Sequence, residues 1–430
     1  MSSKNRTTAS KEEARPAMVP KLRFPQFRGA EAWTLEAGDT LFEQINDRNP
    51  EKGLPVLAIT QEHGAIPRHM IDYHVSVTEK SIESYKVVRI GDFVISLRSF
   101  QGGIEYSRYH GICSPAYVIL RRRVKGSDEY FRHYLKTDTF VRILTRNLEG
   151  LRDGKMISYA QFSELRLPVP KFAEQQKIAE CLGSLDELMA EQARKVGTLK
   201  THKKGLMQQF FPREGETQPR LRFPEFRNAG EWKEKRTDEW GEVLAGKALA
   251  VNAPGPLRPY LRTKNVLDGA IDVSDVLTMP MTDAEFSRFE VLDGDILLNE
   301  GQSLGLVGRA SIYRGEFGQR CAMQNQLLCF RAFPSTCPEF AAQAFRQCQK
   351  DGTFASIATQ TTSVAHLGSS RFSALRLTWP RSLAEQQRIA TCLSSLDALI
   401  AAETQKLEAL KTHKKGLMQQ LFPSAGEPAA

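Results

Sequence analysis

Two stretches of the chain carry apolar residues at alternating steps of three and four, which is the spacing of a heptad repeat. Prolines stand before and after each stretch and a glutamate falls in each first turn, so the pattern predicts long helices at 171–212 and 381–423. The predicted seams consist of Ile178, Leu182, Leu185, Met189, Val196, Leu199 and Leu206 in the first helix, and of Ile389, Leu393, Leu396, Ile400, Leu407, Leu410 and Leu417 in the second. So narrow an apolar face requires a helical partner, and we predict that the two helices pair as a coiled coil. At about 1.5 Å per residue, each would be a rod of about 57 Å.

Polar residues interrupt the seam at the same places in both copies. Gln192 and Glu403 occupy equivalent d positions, and Lys203 and Lys414 occupy equivalent a positions. One interpretation is that the helices fray locally at these positions or that the long side chains extend from the seam toward water. The other is that they fix the register and the relative direction of the helices at some cost in stability.

The helices belong to an internal repeat. Residues 173–212 and 384–423 share 27 of 40 positions at a constant offset of 211. Upstream of each, the run L-R-F-P-x-F-R followed by a tryptophan occurs at 22–28 and again at 221–227. This run is predicted to be a hydrophobic strap onto the helices, with a docking surface for a partner as the alternative. The chain is therefore two halves of one plan.

Between these repeated edges the two interiors differ, apart from weak echoes such as a Gly-Asp pair before an apolar run at 91–97 and at 294–298. Periodicity predicts strands at 116–120 and 326–330, and helices at 128–145 and 338–358. Each interior is thus predicted to be a mixed α and β domain of roughly 150 residues. A shared frame with divergent interiors is typical of two binding domains with different targets.

The predicted organisation is of the α+β class, with two mixed domains separated by a long two-helix coiled coil. The predicted segments are a disordered tail at 1–19, a first domain at 20–170, the first long helix at 171–212, a linker at 213–219, a second domain at 220–380, the second long helix at 381–423 and a tail at 424–430.

Composition excludes a membrane protein and a disulfide-rich one. The chain of 430 residues is 41% hydrophobic and 25% charged, with a modest net charge of +9. It has no long apolar run and no secretory leader, so we expect it in the cytoplasm. The seven cysteines form no C-x2-C pair, and phosphate-binding, zinc-protease and serine-hydrolase motifs are absent from the sequence. We therefore expect no metal site and no catalytic residue, and interpret the chain as a binding and positioning protein.

Two dissimilar domains, each introduced by the R-F-P-x-F run and closed by a helix that begins A-E-Q-Q-[KR]-I-A, resemble the specificity subunit of type I restriction-modification systems. The run at 91–105, followed by Ser114-Pro115-Ala116-Tyr117, is also similar to a target recognition domain of that family. The resemblance covers about residues 20–425. It implies two target recognition domains, an antiparallel pair of helices that serves as a spacer, and a pseudo-twofold duplication. Each domain would read one half of a split, asymmetric DNA sequence.

The same resemblance implies partners. Two adenine-N6 methyltransferase subunits would bind the helical frame, and two nuclease and translocase subunits would join for restriction, around one copy of this chain in a prokaryotic cytoplasm. No cofactor is expected on this chain itself, because S-adenosylmethionine, ATP and Mg are implied for the partner subunits.

Base edges in the major groove are read by arginine, asparagine and glutamine, and loops that follow strands are the natural place for them. The candidate DNA-contacting residues are Arg98, Ser99, Gln101, Arg152 and Lys155 in the first domain, and Asn299, Gln302, Ser303, Gln360 and Thr362 in the second. For any one of them, simple solvation at the surface is an equally good explanation. The run Arg121-Arg122-Arg123 is expected to touch phosphate rather than bases, if it touches DNA.

Two functions of other classes stay open at this point. One is a structural adaptor whose coiled coil joins two protein-binding domains, which would show no sequence preference on DNA. The other is an enzyme with an unrecognised site in one interior, although a duplicated frame with two divergent interiors fits poorly with one active site.

Overall fold

The computed structural model describes residues 18–71, 82, 84–146, 157–213, 215–248, 250, 252–360 and 363–423. The chain divides into two compact units, one formed by Met1–Gln192 with Lys406–Ala430 and the other by Ala193–Gln405. Each unit therefore contains one domain together with a part of both long helices, whereas the sequence repeat divides the chain linearly.

The first domain alternates short strands and helices. Its strands are β1 (Thr34–Ala37), β2 (Phe42–Ile45), β3 (Leu57–Thr60), β4 (Gly64–Pro67), β5 (Lys86–Val88), β6 (Phe93–Ile95), β7 (Glu105–Tyr106), β8 (Gly111–Cys113), β9 (Val118–Arg122) and β10 (Arg166–Val169). Its helices are α1 (Gly38–Leu41), α2 (Ser99–Gly102), α3 (Asp128–Tyr134), α4 (Asp138–Arg146) and α5 (Tyr159–Ser163), and the long helix α6 (Phe172–Phe210) follows.

The second domain repeats this alternation. Its strands are β11 (Lys233–Arg236), β12 (Gly241–Ala245), β13 (Leu257–Leu261), β14 (Leu277–Pro280), β15 (Ile296–Asn299), β16 (Gly301–Gln302), β17 (Ala310–Ile312), β18 (Ala322–Met323), β19 (Leu327–Ala332), β20 (Thr359–Gln360), β21 (Ala365–His366) and β22 (Arg376–Trp379). Its helices are α7 (Asp283–Arg288), α8 (Pro338–Lys350), α9 (Thr353–Ile357) and α10 (Ser369–Ala374), and the second long helix is α11 (Leu383–Leu421).

Both domains are built on an antiparallel four-stranded sheet of the same order, β2-β9-β6-β7 in the first and β12-β19-β15-β17 in the second. In each, a two-stranded antiparallel ladder joins the first strand of the domain to the last, β1 with β10 and β11 with β22. The prediction of two halves of one plan is therefore confirmed at the level of topology.

Aromatic side chains fill the core of each domain. In the first, Phe42 packs edge to face against Phe93, Phe131 and Phe162, with ring centroids 5.1 to 5.7 Å apart. In the second, Trp379 is the largest fully buried side chain and contacts three phenylalanines. Edge-to-face aromatic pairs stabilise a core by more than the area that they bury would predict. These clusters therefore attach each sheet firmly to its helices.

The long helices run antiparallel within each unit. In the first unit, Ile178 and Leu182 of α6 share an apolar cluster with Leu421 of α11. In the second, Phe210 of α6 shares one with Ile389 of α11. Early residues of one helix thus meet late residues of the other. None of the predicted seam residues is exposed, as expected for helices that pack against each other within each unit.

Two predicted helices are each divided in the structure. The helix predicted at 128–145 breaks after α3, where the carbonyl of Leu135 accepts a hydrogen bond from the N–H of Ile104 at 3.2 Å. Gly103 permits this close approach, because its φ is 84° and a Cβ would lie 2.0 Å from the Leu135 oxygen. The helix predicted at 338–358 is interrupted at Gly352, which has a φ of 89°.

Candidate DNA-recognition surfaces and their helical frame

A buried ion pair attaches the start of each domain to the start of its long helix. Arg23 of the first R-F-P run donates to both carboxylate oxygens of Glu174 at 2.7 Å. Arg222 of the second run donates in the same way to Glu385 at 2.7 and 2.8 Å. The two glutamates are only 2% and 1% exposed, respectively. We call these pairs the frame clamps.

The R-F-P runs also contact the other long helix of their unit. The N–H of Leu22 donates to the carbonyl of Gln420 at 2.9 Å, and the N–H of Leu221 donates to that of Gln209 at 3.0 Å. Phe223 stacks on Phe210 with ring centroids 5.1 Å apart. The prediction of a strap onto the helices is therefore confirmed.

The A-E-Q-Q motif has a second structural role that the sequence did not reveal. The side chain of Gln175 accepts from the N–H of Ser127, which caps α3, and that of Gln386 accepts from the N–H of Cys337, which precedes α8. Both side chains also donate to a nearby proline carbonyl at 2.8 Å. Each long helix is thereby tied to an inner helix of its domain. The recurrence of the motif in the sequence indicated that these glutamines have a role, but it did not reveal which groups they contact.

Each seam lysine forms an ion pair with an aspartate of the other long helix. Lys203 is only 6% exposed, and its ammonium donates to both oxygens of Asp397 at 2.6 Å. Lys414 donates to Asp186 at 2.5 Å. The interpretation in which these side chains extend into water is therefore wrong for Lys203. Glu403, at an interrupted d position, accepts from Lys195 at 2.9 Å.

The first domain presents two of its predicted reading residues at α2, shortly after the buried strand β6. Arg98, which precedes the helix, and Gln101 within it are both exposed. The prediction that Ser99 contacts DNA is wrong, because Ser99 is only 1% exposed. Its hydroxyl accepts a hydrogen bond from the N–H of Ser96 at 2.9 Å, which closes the turn. Arg152 and Lys155 lie outside the described residues.

The second domain brings two distant candidate segments together. Strands β16, β21 and β20 form one small antiparallel sheet, in which Gln302 and Gln360 both pair with Ala365. Gln360 is exposed. Gln302 is half-buried, and Ser303, which follows it in the chain, is exposed. The sequence suggested both segments separately, and only the fold shows that they form one surface.

Asn299 and Thr362 are the two remaining candidates of the second domain. The prediction that Asn299 contacts DNA is wrong. Asn299 is fully buried and its amide donates to the carbonyl of Val266, so it cannot reach a base from this position. Thr362 lies outside the described residues. His366 was missed by sequence reasoning, since a lone histidine carries no pattern. It lies in register with Gly301 on the small sheet, and its Nδ1 is 3.1 Å from a carboxylate oxygen of Glu300.

The arginine run at 121–123 belongs largely to the internal structure of the first domain. Arg121 donates to both oxygens of the buried Asp92 at 2.7 Å. Arg122 lies 5.0 Å from the centre of the Phe131 ring, so the expectation of phosphate contact does not fit either residue. The second domain repeats the first pair, because Arg331 donates to Asp295 at 2.8 and 2.7 Å. The hydrogen bonds to Asp295 raise the pKa of Arg331 above its usual value, against the opposing effect of burial. The Gly-Asp echo in the sequence therefore marks a structural pair.

A basic cleft of about 930 Å³ lies within the first unit. Its lining includes eight basic and four acidic side chains, among them Arg108 after β7, Arg142 of α4 and Lys415 of α11. At least six of the eight cations already form ion pairs, namely Arg108, Arg132, Lys136, Lys411, Lys414 and Lys415, so the positive charge open to a phosphate group is smaller than this count.

Across the described residues, no three histidine, cysteine, aspartate or glutamate side chains are grouped so as to hold a metal ion. No helix in the described ranges is long and apolar enough to cross a membrane.

Both units share one sheet order and one frame clamp, and comparisons with known proteins identify the family of the chain. The chain belongs to the family of type I restriction modification DNA specificity domains, whose model matches residues 31–196 and again residues 230–412. The resemblance expected from the sequence is thus confirmed.

Individual relatives are distant. A putative type I restriction enzyme specificity subunit from Methanocaldococcus jannaschii is 26% identical over 165 residues, which are 38% of this chain and 39% of that relative. The match therefore spans well under half of the relative's length. The solved specificity subunit of a type I restriction-modification system from M. genitalium is 15% identical with a TM-score of 0.55, covering 94% of this chain and 99% of that one. A chain from a study of complex assembly and conformational transition in a type I R-M system is 17% identical with a TM-score of 0.53, covering 91% and 97%. At these identities the two structures show a common fold.

Proposed function

We propose that this chain is the DNA-specificity subunit of a type I restriction-modification complex, in which each domain reads one half of a bipartite, asymmetric DNA sequence. The observation that carries the proposal is a duplicated frame around two different exposed surfaces. Both units have the same frame clamp and the same sheet order. The first domain exposes Arg98 just before a short helix and Gln101 within it, whereas the second exposes Gln360 on a small sheet. Different readers on one frame favour two different half-sites.

The proposed readers have the chemistry that base recognition needs. Arginine donates two hydrogen bonds to guanine, and glutamine both donates to and accepts from adenine, each with about 1–3 kcal/mol of discrimination. In this proposal Arg98 contacts the first half-site, and Gln302 and Gln360 contact the second. The basic cleft of the first unit would hold phosphates, which contribute affinity but no sequence information.

The long helices would bind two methyltransferase subunits. Leu188 of α6 is 47% exposed and Leu399 of α11, at the equivalent position of the repeat, is 41% exposed. Two equivalent exposed positions are what two copies of one partner require. The methyltransferase and nuclease subunits would then supply the catalytic residues and hold S-adenosylmethionine, ATP and Mg, while this chain directs them to DNA.

Co-expression with the cognate methyltransferase in a host that lacks adenine methylation tests the proposal. Long-read sequencing of the host genome should show N6-methyladenine in a split motif with a constant gap. The methyltransferase expressed alone is the control and should give no such motif. If the complex forms but adds no methylation, the proposal is wrong and a protein-binding adaptor becomes the better interpretation.

The helices would also set the gap between half-sites. Half-sites about one helical turn apart, or about 34 Å, are compatible with rods of about 57 Å. Inserting four residues in phase within 192–198 should lengthen the gap and leave both half-sites unchanged. An unchanged gap in the same methylation assay would contradict this spacing role.

A further inference from the structure

Each unit contains one aspartate on which three elements converge. In the first unit, Asp186 of α6 accepts from Lys414 of α11 at 2.5 Å and from Arg132 of α3 at 2.8 Å. The lysine joins the two long helices, and the arginine joins the recognition domain to them. A single carboxylate therefore carries both contacts.

The second unit has the same arrangement. Asp397 of α11 accepts from Lys203 of α6 at 2.6 Å and from Arg346 of α8 at 3.0 Å. Gln343 of α8 adds a hydrogen bond to Asp397 at 2.9 Å. We call the two groups the aspartate junctions.

The origin of the residues distinguishes the junctions from a simple repeat. The aspartates and lysines belong to the nearly identical helices and recur at the offset of 211. Arg132 and Arg346 come from the divergent interiors and fall at a different offset, on helices of unlike length. Dissimilar domains thus present the same donor to the same acceptor, which indicates a shared requirement of the frame.

The junctions are electrostatically demanding. Burial acts to raise the pKa of Asp186, but the hydrogen bond and charge of Lys414, together with the charge of Arg132, hold it below its usual value. The balance at Asp397 is the same, with Lys203 and Arg346 as the cations. Because a buried charge is costly without its partner, a domain that turned away from its junction would lose a charge-assisted contact. This favours one orientation of the domain on the helices.

We propose that Arg132 and Arg346 are positioning residues that hold each recognition domain in one orientation on the helix pair, and so restrict the spacing at which the two half-sites are read. The inference rests on the proposed function. The arginines act through Asp186 and Asp397. Arg132 also lines the basic cleft, but there it donates to Glu129 and Asp186. Losing one should leave both half-site sequences unchanged and broaden the tolerated gap. A charge-assisted hydrogen bond corresponds to about a ten- to hundredfold preference, so methylation at gaps one base pair too long or too short should rise by about tenfold or more relative to the correct gap.

The test uses the full chain with its methyltransferase and compares methylation across all gap lengths. Arg132→Met keeps the apolar stem but removes the donor, and Arg346→Met does the same in the second unit. Both should broaden the gap, and Arg132→Lys, which retains a positive charge, should broaden it less. Lys177→Met is the matched control, because it removes an exposed ion pair with Glu180 from the same helix as Asp186. It should behave like the wild-type chain.

The outcomes separate the junction from the proposed function. A wild-type chain that directs no split methylation refutes the function. A wild-type chain with one gap, together with Arg132→Met and Arg346→Met variants that methylate less but keep that gap, overturns the positioning role and leaves a structural one. If Arg132→Met does not accumulate as folded protein, Arg346→Met and Arg132→Lys decide the question, and an unbroadened gap in both refutes the inference.

Discussion

Replacing Glu174 by glutamine should destabilise the first unit by about 3 kcal/mol, near the lower end of the about 3–5 kcal/mol typical of breaking a buried ion pair. In the structure, both oxygens of Glu174 accept from Arg23, and the pair is almost completely buried. Glutamine has nearly the same shape but offers one acceptor and no charge. The loss is moderated because Arg23 also donates to the carbonyls of Ala30 and Glu31 at 2.8 and 2.9 Å.

Hydrogen exchange measured by mass spectrometry is the suitable assay, because a chain with two units need not unfold in one step. Peptides from β1 and β10, which lie next to this clamp in the chain, should exchange faster in Glu174→Gln. Glu385→Gln should have the same effect on β11 and β22. Glu180→Gln, at an exposed position on the same helix as Glu174, is the control and should change the free energy of opening by less than about 0.5 kcal/mol.

A double variant tests the cause. Arg23→Met combined with Glu174→Met removes both charges, and replacing both partners by apolar groups should recover most of the lost stability. If Glu174→Gln exchanges like the wild-type chain, the clamp does not hold the domain to the helix. If the double variant is less stable than Glu174→Gln, the uncompensated arginine is not the reason for the loss.

Three further predictions concern single side chains. Trp232 donates from Nε1 to Glu385 at 3.1 Å, whereas the buried Nε1 of Trp33 has no hydrogen-bond partner among the described residues, so Trp232→Phe should cost about 1–2 kcal/mol more than Trp33→Phe in thermal unfolding, and equal costs would contradict this. Burial, aided by nearby positive charges, lowers the pKa of His133 to about 3, below the unfolded value of about 6.5. Its contribution to stability is therefore complete above about pH 6.5 and declines as the pH falls toward 3, and His133→Gln should flatten stability curves measured over that range, while an unchanged slope would refute the assignment. Arg98→Ala should cost about 1–3 kcal/mol at one base position of the first half-site, and Gln302→Ala should do so in the second, as read from methylation of substituted sites, whereas a uniform loss across sequences would indicate phosphate contact.

The candidate recognition surfaces could be predicted only in part. Strands followed by polar loops pointed correctly to the exposed Arg98 and Gln360. The same reasoning selected Asn299, which the fold buries. A polar residue at the end of a strand has the same sequence signature whether it faces water or the interior, and its burial depends on which other strands cover it.

The structural arginines illustrate the same limit. Arg121 was expected to touch phosphate, if it touched DNA, because phosphate contacts predominate in DNA complexes, yet it is bound to a buried aspartate that precedes another strand. The recurrence of the Gly-Asp pair at 91–92 and 294–295 was visible in the sequence. The structural meaning of this pair was not visible, since the arginine partners lie 29 and 36 positions further along the chain, on a neighbouring strand of the sheet.

The sequence by itself determined the two long helices, their pairing and the duplication of the whole plan. Those features follow from periodicity and repetition, and a heptad seam must be buried wherever it occurs. The tertiary structure decided how the frame is joined to its domains. Lys203 and Asp397 are far apart in the chain, as are Arg23 and Glu174, and each pair is established only by the packing of the folded chain. Buried charges must find partners, and which partner is available is a property of the folded chain rather than of any local pattern.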